Sequence, residues 1–187
     1  MDHFLIPNND TFKDPILATL NVSNNKIRTE GGRSIGRMLW TNTSLISLDV
    51  SLNRLEDEGG QLLLDGLRHN CTLKILNISS NELRSKSVAV LSKILEEEDP
   101  SSSLLETNHI CISSLEEVDI SSNQLSDADV VQLSNAVKVN KKLFSFDLRR
   151  QGMKEDGKYV QPTQVYERAV ASIHAKLQCN ENEILSS

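Results

Sequence analysis

The chain has 187 residues, a formal net charge of −6 and only 4% aromatic residues. That length supports one domain with a substantial core. No apolar run reaches the ~18 residues a membrane span needs, and an acidic, aromatic-poor chain is a poor candidate for nucleic-acid binding. Cys71, Cys111 and Cys179 make no even disulfide framework, and the opening MDHFLIPNND lacks the basic start and apolar stretch of a signal peptide. Both features point to a reducing, cytoplasmic setting.

Residues 1–16 form a lead to the main pattern, within which His3–Ile6 (HFLI) has the composition of a cap. From Leu17 the chain then writes one phrase five times. It reads LATLNVSNN from Leu17, LISLDVSLN from Leu45, LKILNISSN from Leu73, LEEVDISSN from Leu115, and in decayed form LFSFDLRRQGM from Leu143. The steps are therefore 28, 28, 42 and 28 residues. A fixed period in this range is the mark of a solenoid whose coils cannot fold alone and shield one another's apolar face. The long step is one period plus an insertion at residues 96–114.

Within each phrase the alternation predicts a short strand, with Leu76 and Ile78 on one face and Ile75, Asn77 and Ser79 on the other. The chain then turns inward, leaving backbone N–H and C=O groups that need partners in a dry interior. An amide supplies both donors and an acceptor, so Asn25, Asn53, Asn81 and Asn123 are expected to form a ladder between turns. Gln151 holds that register in the last copy, and its extra methylene is expected to end the ladder.

The second half of each period predicts a helix. Leu63 and Leu67 follow Gly59 and Gly60 at i, i+4 spacing. The same register gives Ile35 and Leu39 after Gly31, then Leu91 and Leu95, then Leu133 and Val137. The glycine pairs read as helix entries. Asn42, Asn70 and Asn140 share a register after the helices and are expected to hold left-handed helix ends. Repeats thus span residues 17–153. In the remainder, 154–187, Val165, Ala169, Ile173 and Leu177 predict an amphipathic helix that caps the open core, followed by a tail. The expected fold is an α/β solenoid of about five coils, with parallel strands on a concave face and helices on a convex one.

The segment LDVSLNRLEDEGGQLLLDGLRHNCTLKILNISSNEL resembles the 28-residue, ribonuclease-inhibitor type of leucine-rich repeat. LRHNCTLKILNISSNEL and the closing SFDLRR followed by a helix are similar to the leucine-rich subunit of the axonemal nexin–dynein regulatory complex, the T-complex-associated testis-expressed family. The resemblance implies a non-catalytic scaffold in a ciliary or flagellar assembly, with other proteins as partners. The alternative it leaves open is an inhibitor or innate-immune-type recognition domain in the cytosol.

Several residues are candidates for partner binding. The concave columns read Thr19, Ser47, Ile75, Glu117, Ser145; then Asn21, Asp49, Asn77, Asp119, Asp147; then Ser23, Ser51, Ser79, Ser121, Arg149. They describe either a groove for a basic peptide or a merely solvated sheet. Trp40 shares its register with Arg68, Glu96 and Lys138, a solvent-type position, so it calls for a cover: the HFLI segment or a partner. Eight acidic residues and no Lys or Arg lie between Glu96 and Asp119, beginning with Glu96, Glu97, Glu98 and Asp99. Seven basic and three acidic residues lie between Lys138 and Lys158, including Lys138, Lys141, Lys142, Arg149 and Arg150. These two stretches are solvated charge or steering surfaces for partners.

No catalytic constellation, cofactor motif or phosphate-binding loop is legible. His69/Cys71 and His109/Cys111 are the only zinc-like pairs, and they fall out of register with each other. Core packing is the expectation for Cys71, and no metal or other cofactor is expected.

Overall fold

The computed structural model describes residues 17–96, 113–152 and 161–186. Helices and strands alternate along the chain: β1 (Thr19–Asn21), α1 (Thr29–Thr41), β2 (Ser47–Asp49), α2 (Glu56–Leu67), β3 (Ile75–Asn77) and α3 (Ser85–Glu96). Then follow β4 (Glu117–Asp119), α4 (Asp127–Val139), β5 (Ser145–Asp147) and α5 (Gln164–Ser186). The strands form one parallel sheet in sequence order. Leu20, Leu48, Leu76, Val118 and Phe146 fall in a single row across it. The insertion therefore lengthens one coil without shifting the register.

That row lies inside. Leu48, Leu76 and Val118 are at most 2% exposed and join Leu39, Leu63, Leu67, Leu91, Leu95, Leu133 and Val137 from the helices in one core. α5 closes the far end with Ala169, Ile173 and Leu177 buried, whereas Val165 stays half exposed, outside the stripe.

The strand exits share a backbone device. Asn24, Leu52, Ser80, Ser122 and Arg150 all have φ between 53° and 58°, a left-handed conformation that costs an ordinary residue about 1–2 kcal/mol. Each sits one residue before the ladder position. The kink aims the next side chain inward, where its hydrogen bonds offset the cost. Asn53 is representative. Its Oδ1 accepts the N–H groups of Asn25 and Ile27 at 2.9 and 2.8 Å. Its Nδ2 donates to the carbonyls of Val22, Val50 and Ser51. Asn81 donates to Val50, Ile78 and Ser79, and Asn123 accepts from Asn81 and Leu83. Among the described residues, Asn25, in the first coil, has only a local bond from Nδ2 to the Ser23 carbonyl and a bond from its N–H to Asn53 Oδ1.

Gln151 does not end the ladder. It is buried, accepts the Asn123 N–H at 3.2 Å and donates to the carbonyls of Ile120 and Leu148. The extra methylene is taken up by its side-chain conformation, since both amide functions still reach the same class of partner as in the asparagine rungs.

Asn42, Asn70 and Asn140 also differ from expectation. Asn42 and Asn140 are extended, with φ −77° and −71°, rather than left-handed. They and Asn70 build a second ladder at the opposite end of the strands. Each Oδ1 accepts two N–H groups from the turn entering the next strand. Nδ2 of Asn70 donates back to Leu39 and Asn42, and Nδ2 of Asn140 to Leu95. Asn180 of α5 adds the last rung by donating to the Asn140 and Leu143 carbonyls.

The glycines serve helix packing more than helix entry. A β-carbon on Gly66 would strike the Gly36 carbonyl, one on Gly36 the Leu62 carbonyl, and one on Gly32 the Gly59 carbonyl. α1 and α2 thus meet backbone to backbone, which only glycine permits.

Coils also cap one another. Asp57, in the first turn of α2, accepts the N–H groups of Arg84, Lys86 and Ser87 at 2.9, 3.1 and 3.0 Å at the start of α3. Partial burial pushes its carboxyl pKa up, but these donors outweigh that and hold it below the ordinary 3.8.

Two expectations follow. Asn81→Ala removes one of two donors from the Val50 and Ile78 carbonyls, which keep Asn53 and Asn123, and leaves the buried Leu55 N–H without its acceptor. It should cost about 1–3 kcal/mol, read as a fall in urea midpoint at constant m-value. Asp57→Ala should cost about 1 kcal/mol at neutral pH. Because the folded-state pKa is lowered, this contribution is present above 3.8 and is lost as pH falls through the folded value. The stability difference between wild type and variant should therefore close in acid titration below that pH.

Candidate functional site

The concave face is explained largely by the strand exits. The middle column folds back on itself: Oδ1 of Asn21, Asp49, Asn77, Asp119 and Asp147 each accepts the N–H two residues on, at 2.9–3.0 Å. Hydroxyls of Ser23 and Ser79 donate to the same oxygens. These side chains hold turns, each through one oxygen.

Arg149 is the largest side chain of the columns, and its guanidinium folds onto the same Asp147, at 3.0 and 2.9 Å from Nε to the two carboxylate oxygens. Partial burial raises the Asp147 carboxyl; the Arg149 side chain and N–H, with His174 further off, overcome it and lower the pKa below 3.8. The pair raises Arg149 in turn.

The basic residues do not make one edge. Lys138, Lys141 and Lys142 lie before β5 and Arg149 and Arg150 after it, separated by roughly 20 Å of near-extended chain. Lys138 donates to Asn135, and Lys142 reaches the Ser113 carbonyl at 2.9 Å. Arg150 is exposed on its left-handed backbone. Glu96 is exposed at the end of α3, whereas Glu97, Glu98 and Asp99 lie outside the described residues.

Trp40 is 55% exposed at the end of α1. Its ring lies on His69, centroids 3.5 Å apart and planes 32° from parallel. Exposed Arg37 precedes it by three residues on the same helix face. The HFLI cover lies outside the described residues. His69 is thus an aromatic neighbour of Trp40, a role its place one coil and one residue further along the chain could have suggested. Cys71 is exposed rather than packed in the core, because it sits in the turn after α2, and it is disulfide-bonded. A disulfide sulfur is not a zinc-binding thiolate.

The leucine rich repeat family model matches residues 15–36, 41–64, 69–92 and 112–134. With five parallel strands in register and a helix after each of the first four, that decides the architecture. The chain is a leucine-rich-repeat solenoid. Two solved structures share the repeat fold. The leiomodin-1 actin-binding site 2 matches with a TM-score of 0.66 and 16% identity, over 91% of this chain and 86% of that one. The tropomodulin C-terminal domain of Caenorhabditis elegans matches with the same TM-score and identity, over 91% and 88%. No curated protein sequence matches. The family model stops at residue 134, and β5 shows a fifth coil of the repeat beyond it.

If Asp147 holds the last turn and Arg149 only decorates it, Arg149→Ala should leave the thermal midpoint unchanged. Asp147→Ala should lower stability by about 1 kcal/mol. Paired melts at neutral pH check the contrast.

Proposed function

We propose that this leucine-rich-repeat chain is a non-catalytic scaffold that binds other proteins as a structural subunit of a larger assembly. Trp40 carries the reading. A tryptophan more than half in water leaves apolar surface unburied, while the same register in other coils holds Arg68, Glu96 and Lys138. Tryptophan and arginine are the residues most concentrated in binding hot spots, and Trp40 has Arg37 beside it and His69 beneath it. The repeat architecture supports the same reading, because the polar backbone of its interior coils is satisfied internally and its side chains remain available outside.

The finer setting, the nexin–dynein regulatory complex of a cilium or flagellum, rests on the sequence resemblance. The leiomodin and tropomodulin likenesses are likenesses of fold, and actin binding is not carried over from them.

The test is co-purification from ciliated cells with tagged wild type and Trp40→Ala. The variant should melt within about 2 °C of wild type, since the ring is mostly outside the core, yet lose its partners at least tenfold. Equal recovery would remove Trp40 from the interface. Uniform cytoplasmic signal without ciliary enrichment would overturn the axonemal setting while leaving the scaffold reading to the pull-down.

A further inference from the structure

Among the described residues, the last coil leaves a strand edge open. In β5, residues 145 and 147 turn their backbone groups toward β4: the Ser145 N–H bonds to Glu116, and the Asp147 carbonyl accepts from Ile120. Alternation in a parallel ladder aims the Phe146 N–H and C=O, and the Leu148 N–H, the other way. In the other coils the next strand pairs with such groups. Here α5 lies along the edge instead, and it clasps the strand only near its ends. Tyr166 Oη donates to the Leu148 carbonyl at 2.6 Å, and Asn180 Nδ2 to the Leu143 carbonyl at 2.7 Å.

Between the clasps is a cleft of about 390 Å³. One wall is the edge of β5, with Phe144 37% exposed. The other is the α5 face carrying Val170, Ile173, His174 and Leu177. The clasped carbonyls, Leu143 and Leu148, flank β5 five residues apart, about 16 Å of extended chain. A helix beside an unpaired strand edge is the geometry in which extended peptides add as a strand, with main-chain bonds giving affinity and alternate side chains giving specificity.

We propose that this cleft receives a short extended segment of another protein, about four to six residues long, which pairs with β5 as a sixth strand. Its inward side chains would be apolar, to cover Phe144 and the half-buried Val170. Its outward side chains would meet the mouth, where the Asp147 charge is already engaged by Arg149. The remaining Arg149 donors and His174 line the same opening, so alternate acidic residues suit the outer face. The inference shares with the proposed function only the premise that the chain binds proteins, and it does not use Trp40.

The probe is a six-residue peptide of alternating valine and glutamate, titrated into the isotope-labelled full chain and followed by NMR. Saturable shifts are expected at the Phe146 and Leu148 amides and the Val170, Ile173 and Leu177 methyls. A peptide with alternate amides N-methylated should bind at least tenfold more weakly, because it cannot donate to the edge. A valine–lysine peptide should be weaker by a similar factor. Val170→Lys should abolish the shifts, and the N-methyl comparison on unaltered protein holds even if that variant unfolds. No saturable shift at millimolar peptide, shifts centred elsewhere, or indifference to N-methylation would each overturn strand addition. Equal binding of the lysine peptide would overturn the acidic preference. Retained Trp40-dependent co-purification alongside any such failure would confine the loss to this inference.

Discussion

The whole structure depends on how one coil satisfies the polar backbone of the next. A strand of three residues exits into the core at one end and enters from it at the other, and at both ends the turn exposes peptide groups where no water reaches them. Asn53, Asn81, Asn123 and Gln151 meet this need on the exit side, and Asn42, Asn70, Asn140 and Asn180 on the entry side. An unpaired group there costs on the order of 1–3 kcal/mol, so the amides stabilise the stack mainly by preventing that loss. The leucines supply the burial; the amides decide where each coil stops and how it sits on its neighbour.

That division explains what the solenoid tolerates. Fourteen extra residues separate β3 from β4, given a step of 42 where the others are 28. Leu76 still pairs with Val118, and Asn81 still donates its N–H to Asn123 at 2.9 Å. Loop length is a weak, logarithmic cost, whereas a misplaced rung would leave several buried groups without partners. Register is thus held by local rungs and not by the chain length between them. The glycine contact between α1 and α2 is the opposite case, a backbone approach with no slack.

The repeat, its strands and helices, and the exit ladder were legible because each rests on periodic side chains that a sequence displays directly. Leu20, Leu48, Leu76, Val118 and Phe146 could be placed in one row by counting alone. The rung at Gln151 is not legible in the sequence, because side-chain length says little about reach when the side chain can bend to keep its donors and acceptor in place. The entry ladder is legible as a register, but its task is not. Asn after a helix is compatible with a left-handed end and with a buried rung, and only backbone angles separate the two. Asn180 had no register to betray it, since it reaches its carbonyls from α5. On the surface, the five basic residues from Lys138 to Arg150 formed one group along the chain, whereas the strand between them puts them at opposite ends of a coil. Trp40 stood out by breaking its column, but its contact with His69 crosses from one coil to the next and has no signature within either.

Translation along a solenoid makes every interior coil the partner of two others, so interior backbone valences are consumed by the fold itself. The concave column shows how far this goes: one oxygen of each of its carboxylates is engaged by its own turn. Unsatisfied capacity collects at the ends and at side chains that depart from the repeat. In the first coil that departure is Trp40, an apolar ring where later coils carry charge. In the last it is the β5 edge, where a helix stands in for a strand and cannot match its row of donors and acceptors. A recognition surface on such a scaffold is therefore to be sought where translational symmetry fails, and the residues that break the repeat are more informative about binding than those that keep it.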